Sequence, residues 1–411
     1  MKHINYGHHI LLLLTLTLFA CGGKKSADSS NTDNGQLVTF HLNAPPAKVE
    51  PLLLSELADS VSYVALETTK ETLTSFAYRF GDRYYSVIRN EVEERLVCFD
   101  KSGKYLHQIG RQGNGPEEYL WISCRPDPKT NWAYFGSPEK TQVYDQNGKF
   151  VKSIKREMEW DFLPRYVYND LAYFIPTDNP AIEIVDFRTN QRITNNKVAI
   201  EKNMTFWREQ NKKHPDNKIA YSGGSMSLSK ISKDAFYCWS VFFDTVMMAK
   251  GKEVKPLCRI IPENKYKMDD LFNKDSKAFL LQPLIIDMEV CKNKLLLYVA
   301  YFKSIDDVSA YRNQKEMKCL YWVVCDLKNG SVTYHPNYIV NDLDGGPNVI
   351  CGYNMISNLS VEDLKNDKEI YNSYFTEGVE AKLKDQEGKF QRLLEPLAND
   401  ANPIIRTIHW K

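Results

Sequence analysis

The feature that most constrains this chain is a short turn motif that recurs between apolar strands. It occurs at Phe99–Tyr105 (FDKSGKY) and again at Tyr144–Phe150 (YDQNGKF). In both copies the Asp can accept hydrogen bonds from the turn backbone, and the Gly can adopt the positive φ that a tight hairpin needs. The copies are about 45 residues apart, a repeat length typical of four-stranded propeller blades. The motif therefore predicts an all-β chain built from repeated antiparallel units.

Complete units with this organisation can be followed from residue 74 to residue 338. Each contains four short runs rich in Tyr, Phe, Val, Ile and Leu, the residue types that favour strands. In the first unit the runs are Thr74–Phe80, Arg83–Ile88, Arg95–Phe99 and Tyr105–Ile109. The next units begin at Trp121, Pro164, Met226 and Leu284. These runs predict five complete blades.

A further, incomplete unit follows at the C-terminus. Its predicted strands are Val349–Ile356, Ile370–Phe375 and Ile404–Trp410, whereas the apolar spacing of Glu377–Asn399 favours a helix. The strand-like segment Val61–Glu67 has no unit of its own and can supply the missing strand, which closes the ring and removes an open edge. We therefore predict an all-β fold, a six-bladed β-propeller over residues 59–411 that is closed by an N-terminal strand and has one C-terminal helix inserted in its last blade.

The N-terminus is typical of an exported lipoprotein. Residues 1–20 have the form of a signal peptide, and the apolar run Ile10–Ala20 is too short to span a bilayer. Leu18–Cys21 matches a bacterial lipobox, in which the thiol of Cys21 receives the lipid. Residues 21–58, which begin with a polar Gly/Ser/Asn/Asp-rich stretch, are interpreted as a flexible tether. We expect a lipid-anchored protein of the cell envelope, at the outer membrane; an ordinary secretory signal with an incidental Cys is the alternative.

Charge and cysteine usage exclude several classes of partner. The 411-residue chain has a formal net charge of +1 with intermixed signs, so nucleic acid is not an expected partner. Eight cysteines lie beyond Cys21, mostly within apolar strand patterns, which favours buried free thiols over disulfides. No CxxC motif or Cys/His cluster occurs, so we predict neither a metal site nor a cofactor.

Several motifs together are similar to those of a known family. They are Tyr63–Thr68, the turn beginning at Phe99, the Gly-rich run Ile109–Tyr119, Asn341–Pro347 and Asn402-Pro403. In these the chain resembles the six-bladed β-propeller lipoproteins of Bacteroides-type bacteria, whose blade layout is related to that of NHL-repeat propellers. The resemblance implies the fold and an envelope location but no agreed reaction. Gly22-Gly23-Lys24-Lys25 stands where surface-exposed lipoproteins of these bacteria have an acidic run. The sequence therefore leaves both a periplasmic and an outward-facing location open.

Two loops are candidate ligand sites. Gly110–Tyr119 could offer Arg111, Asn114, Glu117 and Glu118 at one mouth of the central channel. Alternatively, its glycines only allow a tight path between blades, and Glu118 pairs with a neighbouring loop. Asn341–Pro347 occupies the equivalent inter-blade position, so Asp342 and Asp344 should open on the same face. It faintly resembles a calcium loop, but Tyr353 stands where the liganding Glu is needed, which favours a plain turn.

Signatures of catalysis are missing, and no catalytic residue is predicted. Gly223–Ser227 approaches a nucleophile elbow but ends in Ser, and the histidines are scattered through different units. The leading hypothesis is a binding or scaffolding module for an envelope protein or glycan, with Phe206 and Trp207 of a polar insertion as a contact site. The competing hypothesis is a hydrolase or lyase that acts on a glycan or peptide at the channel mouth.

Overall fold

The computed structural model describes residues 37–89, 94–137, 139–155, 164–175, 182–194, 212, 227–232, 234–240, 243–262, 283–302, 319–350, 358–359, 361, 365 and 387–411. Within these ranges the chain is almost entirely β-structure, as the sequence predicts. None of the helices in these ranges is long and apolar enough to cross a membrane.

Five sheets have the order of complete propeller blades, with strands that follow one another along the chain. The first blade comprises β4 (Ala77–Phe80), β5 (Arg83–Arg89), β6 (Glu94–Phe99) and β7 (Tyr105–Gln108). The second comprises β8 (Cys124–Pro126), β9 (Ala133–Gly136), β10 (Lys140–Tyr144) and β11 (Phe150–Lys155), and the third β12 (Tyr166–Tyr168), β13 (Leu171–Phe174), β14 (Glu183–Asp186) and β15 (Gln191–Thr194). The fourth comprises β16 (Ser227–Ser232), β17 (Ala235–Ser240), β18 (Phe243–Lys250) and β19 (Glu253–Pro262), and the fifth β20 (Leu284–Cys291), β21 (Lys294–Ala300), β22 (Leu320–Asp326) and β23 (Val332–His335).

The predicted turn chemistry forms the outer hairpins of the blades. Asp100 Oδ1 accepts hydrogen bonds from the backbone N–H groups of Ser102 (2.8 Å) and Lys104 (3.0 Å), and Gly103 has a φ of 87°. Asp145 and Gly148 repeat this arrangement between β10 and β11, with a φ of 76° at the glycine. The turn motif that predicts the repeat is thus confirmed at both positions.

The cores lie between neighbouring blades. Tyr134 and Val167, for example, belong to one buried cluster between the second and third blades, and both are fully buried. Seven of the cysteines lie in the described ranges, and all seven are free thiols, as predicted. Cys351 lies outside those ranges.

The segment before residue 59 is part of the folded domain. Strand β1 (Thr39–Leu42) pairs in parallel with β19, at the outer edge of the fourth blade, and Phe40 and Leu42 are fully buried. Strand β2 (Leu52–Leu53) pairs in parallel with β24 (Tyr338–Val340), which also pairs with β25 (Val349–Ile350). The predicted tether boundary at residue 58 is therefore wrong. The polar stretch suggested a tether, but the alternating apolar residues that follow Gln36 form a strand of the folded domain.

The two ends of the propeller region meet in one sheet. Strand β3 (Ala58–Ala65) pairs antiparallel with β27 (Ile404–Trp410), and β26 (Asn358–Leu359) flanks β27 on the other side. The N-terminal segment Val61–Glu67 thus contributes most of a strand beside the C-terminal one, as predicted.

The described residues nevertheless contain five complete blades where the sequence predicts six. The closing sheet has three strands in these ranges, and the predicted strand Ile370–Phe375 lies outside them. The prediction for Val349–Ile356 needs correction, since β25 pairs with β24 rather than with the closing sheet. Helix α1 (Glu387–Leu394) falls within the stretch predicted as helical, and its Phe390 and Leu394 pack against Ile404; the start of that stretch lies outside the described residues.

The first strand of each blade lies at its inner end. Strand β8 contacts β12, and β16 contacts β20, so the first strands of consecutive blades approach one another. Propeller blades radiate from a central channel, and strands that meet in this way surround it. Side chains on β4, β8, β12, β16 and β20 are consequently those closest to the axis.

Candidate binding site

The Gly-rich loop Ile109–Tyr119 is closed by contacts among its own residues. Arg111 donates to Glu118 Oε1 through Nε (2.8 Å) and also through its terminal nitrogen, while Glu118 Oε2 accepts the Gly115 N–H at 2.9 Å. The Gly115 N–H, and then Arg111, hold the pKa of Glu118 below its usual value. Glu118 therefore pairs within its own loop and not with a neighbouring one, as the alternative interpretation had it; its ligand role stays a prediction.

Beside this loop lies a shallow cavity of about 350 Å³ that includes Arg111, Glu117 and Tyr144 in its lining. Asn114 and Glu117 are exposed, and the Tyr144 hydroxyl donates to the Glu117 carbonyl at 2.7 Å. The side chains of Asn114 and Glu117 are accessible from solvent, but the charged pair beside them is already satisfied. The cavity therefore presents little unpaired charge to recognise a ligand.

The second predicted loop, Asn341–Pro347, acts as a structural clamp. The Asp342 carboxylate accepts hydrogen bonds from the Ser55 N–H (2.9 Å) and hydroxyl (2.6 Å), which fixes the N-terminal segment. Asp344 Oδ1 accepts from Asn341 Nδ2 (2.6 Å) and from the Gly346 N–H (3.0 Å). These contacts fit the plain turn that the sequence favoured over a calcium loop.

The two predicted loops line different cavities, one containing Arg111 and the other Asp344. Over the described part of the chain, no group of three or more His, Cys, Asp or Glu residues could hold a metal ion. Phe206 and Trp207, the predicted contact residues of the insertion, lie outside the described residues.

The inner strands carry charged residues that the sequence reasoning missed. Arg125 is the middle residue of β8, and Arg165 immediately precedes β12, where its N–H donates to the Tyr173 carbonyl at 2.8 Å. Both are half-buried, and they belong to adjacent blades whose first strands are in contact. We call Arg125 and Arg165 the arginine pair.

The arginine pair has no carboxylate partner among the described residues. Arg125 donates to the Cys124 carbonyl at 3.0 Å. Burial lowers the pKa of Arg125, and the like charge of Arg165 lowers it further, whereas Tyr78 of β4 raises it. Asp127, two residues along, is fully buried and uses its oxygens to accept the N–H groups of Lys129 (2.8 Å) and Asp170 (3.0 Å). Two guanidinium groups therefore share one region in which the described part of the chain places no neutralising acid.

A second charged cluster joins the inner strands of the fourth and fifth blades. Lys230 Nζ of β16 lies 3.3 Å from Asp287 Oδ1 and 3.6 Å from Glu289 Oε2, both on β20. Burial raises the pKa of Glu289 to about 7, although the Lys230 ammonium acts in the opposite direction. Here acids and base neutralise one another, so the cluster differs from the arginine pair.

One signal in the sequence could have indicated these residues. Each inner strand was interpreted as an apolar run, yet Arg125, Arg165, Lys230 and Glu289 interrupt or border such runs. A charge within a predicted inner strand of a closed propeller must either be paired or face the channel. Applying that rule would have favoured these positions over the Gly-rich loop.

Comparison with known proteins agrees with the fold. Residues 37–409 match the family model described as "Domain of unknown function (DUF4934)". The chain belongs to the DUF4934 family. The match begins at residue 37, the first described residue before β1, which agrees with the folded state of the segment before residue 59.

Among solved structures, the chain is similar to a protein of Bacteroides fragilis inferred to be exported, with a TM-score of 0.53 and 16% identity over 92% of this chain and 100% of that one. This is a similarity of fold. The chain is also similar to Hsv2 of Kluyveromyces marxianus, with a TM-score of 0.33 and 10% identity over 62% of this chain and 59% of that one. No curated protein matches the chain.

Proposed function

We propose that this DUF4934 protein is an exported, lipid-anchored β-propeller that binds a protein or glycan partner in the cell envelope. The observation that carries the proposal is the arginine pair, because half-buried charges at the inner ends of two contacting blades, with no carboxylate partner in the described ranges, are suited to recognition. A rigid ring of blades would hold such groups in fixed positions. The propeller supplies the frame, and the charges supply the ligand contact.

The proposed location rests on the N-terminal sequence and on the fold. Cys21 follows a lipobox, and the similar Bacteroides fragilis protein is inferred to be exported. We place the mature protein at the outer membrane, attached through Cys21. We further propose that the sheet of β3, β26 and β27 acts as the sixth blade of an NHL-like ring, with Phe206 and Trp207 as additional partner contacts.

A hydrolase or lyase is the second candidate function. It is favoured by Glu289, whose pKa of about 7 suits a general acid at neutral pH. However, its carboxylate neighbour Asp287 is on the same strand, and the nearby base is Lys230. The described histidines with side-chain contacts, His107, His335 and His409, bond to groups elsewhere. Binding is therefore the better supported function.

The proposal is tested by crosslinking in intact cells of a Bacteroides-type host. Tagged full-length protein should fractionate with membranes and yield a specific crosslinked partner. Cys21→Ala should release the protein from the membrane fraction, and deletion of Met204–Lys213 should reduce partner recovery without loss of the folded protein. Retention of the Cys21→Ala protein in membranes would contradict the anchor. Unchanged partner recovery after the deletion would contradict the contact role of Phe206 and Trp207.

A further inference from the structure

The two residues of the arginine pair lie beside the same gap between two blades. Arg125 is directly opposite Tyr134 in the β8–β9 ladder, and directly opposite residues lie on one face of a sheet. Arg165 immediately precedes β12, two residues before Val167, and its N–H is held by the Tyr173 carbonyl of β13. Because Tyr134 packs with Val167 in one cluster between the second and third blades, the Arg125 guanidinium is directed into that gap, and Arg165, whose charge acts on Arg125, lies beside the same gap.

The position along the strands places this gap at the axis. Strands β8 and β12 are the inner strands of their blades, and Tyr78 of the inner strand β4 is close enough to influence the ionisation of Arg125. Tyr78 is 46% exposed, so the side of this region that Tyr78 borders is open to solvent. Three consecutive blades thus contribute a phenol and two guanidinium groups to one accessible region.

We propose that the arginine pair is an oxyanion-binding site in the propeller channel, which takes a carboxylate, sulfate or phosphate group of the ligand. This inference deepens the proposed binding function and rests on it.

The chemistry of the site favours an oxyanion. A guanidinium presents its N–H donors in a planar fork that matches a carboxylate, sulfate or phosphate, and it remains charged at any physiological pH. Two forks beside one gap repel each other unless an anion lies between them. A cation would be repelled, and a neutral ligand would leave the charges unneutralised. Tyr78 can add a hydroxyl donor at the edge of the site.

The proposal is tested with the full-length protein purified in detergent at low ionic strength. Sodium sulfate, sodium phosphate and sodium glucuronate are titrated separately at constant ionic strength, and binding is followed by calorimetry and by the melting temperature. We expect saturable binding of at least one anion with a stoichiometry of one, accompanied by a rise in melting temperature, because a ligand that binds only the folded state stabilises it. The preferred anion identifies the ligand group as a carboxylate, a sulfate or a phosphate.

Three variants of the arginine pair and one control variant make the test specific. Arg125→Gln and Arg165→Gln should each weaken anion binding at least tenfold, and Arg125→Lys should restore it only partly because the fork is lost. Arg111→Gln removes the same charge from an exposed arginine that already has Glu118 as a partner, and should leave the affinity unchanged. If Arg125→Gln does not fold, Arg165→Gln carries the test.

Absence of saturable binding for all three anions, or an equal loss in Arg111→Gln, would overturn the site. Because the measurement uses purified protein, it is independent of the membrane anchor and of the crosslinked partner. If the purified protein binds no anion but a partner is recovered in cells, the proposed binding function stands and the arginine pair is not the contact.

Discussion

Arg111 and Arg125 are both arginines near the joint between the first and second blades, but their surroundings differ. Arg111 is exposed and forms a two-point contact with Glu118 of its own loop. Arg125 is half-buried on an inner strand, close to a second arginine and without a carboxylate among the described residues. The comparison shows that charges in a Gly-rich loop can pair with each other, as Arg111 does with Glu118. A half-buried charge on an inner strand, such as Arg125, can remain available for a ligand.

The first prediction concerns the other charged cluster of the inner strands, Lys230 with Asp287 and Glu289, and its dependence on pH. Burial raises the pKa of Glu289 to about 7 in the folded protein, above its ordinary value of 4.5. The folded state therefore binds more protons than the unfolded state between about pH 4.5 and 7, so this group stabilises the fold less as the pH rises through that range. We expect a contribution on the order of 2 kcal/mol, which Glu289→Gln should remove.

The measurement is the free energy of unfolding in denaturant at several pH values between 4.5 and 7.5. Wild type should lose stability relative to Glu289→Gln as the pH rises, because glutamine stays neutral and resembles the protonated acid. Glu253→Gln, a change to an exposed acid on β19, is the matched control and should follow wild type. Parallel curves for wild type and Glu289→Gln would show that Lys230 compensates the carboxylate fully.

The second prediction concerns the contact between Arg111 and Glu118 in the Gly-rich loop. A Cβ at Gly113 would overlap the Glu118 carboxylate, whereas one at Gly115 would lie 3.0 Å from it. Gly113→Ala should therefore displace Glu118 from Arg111 and destabilise the protein by about 1 kcal/mol, and Gly115→Ala should cost less.

A double-mutant cycle identifies the cause of that loss. If the clash with Glu118 is responsible, Gly113→Ala should cost little in a Glu118→Ala background, as measured by chemical unfolding. An undiminished cost in that background would assign the effect to the backbone at Gly113 instead. In either case anion binding by the arginine pair should not change.

The sequence predicted the blades well because their turns are local. Asp100 with Gly103, and Asp145 with Gly148, determine their hairpins within five residues, so no tertiary information is needed. The pairing of β3 with β27 was also predictable, because the N-terminal strand belonged to no blade and the C-terminal blade lacked one strand. The parallel pairing of β1 with β19 was not, because nothing local indicates which edge a single strand will join.

The candidate site was harder to predict for a similar reason. Whether Glu118 is free depends on the path of ten residues, and whether Arg125 is free depends on which strand lies across the blade gap. Charge and glycine content favoured the loop, yet they carry no information about pairing. The ladder position of Arg125 opposite Tyr134, and the contact of β8 with β12, which Arg165 precedes, bring the two arginines to one gap.

The last prediction concerns the sign of two otherwise identical substitutions. In buffer that contains only weakly binding anions, Arg125→Gln should raise the free energy of unfolding by roughly 0.5–1 kcal/mol, because it removes a partly desolvated charge that has no carboxylate partner in the described ranges and relieves its repulsion with Arg165. Arg111→Gln should lower stability slightly, since an exposed ion pair contributes at most about 1 kcal/mol.

Urea unfolding of the two variants and wild type, at low ionic strength, measures both effects in the same experiment. A loss of stability in Arg125→Gln would mean that Arg125 has a structural role, since a binding residue held at a cost to the fold should give a gain. Adding the preferred anion should then reverse the order of wild type and Arg125→Gln, because only wild type can use the ligand to offset the buried charge. The same addition should leave the difference between wild type and Arg111→Gln unchanged, because the partner of Arg111 is Glu118 of its own loop.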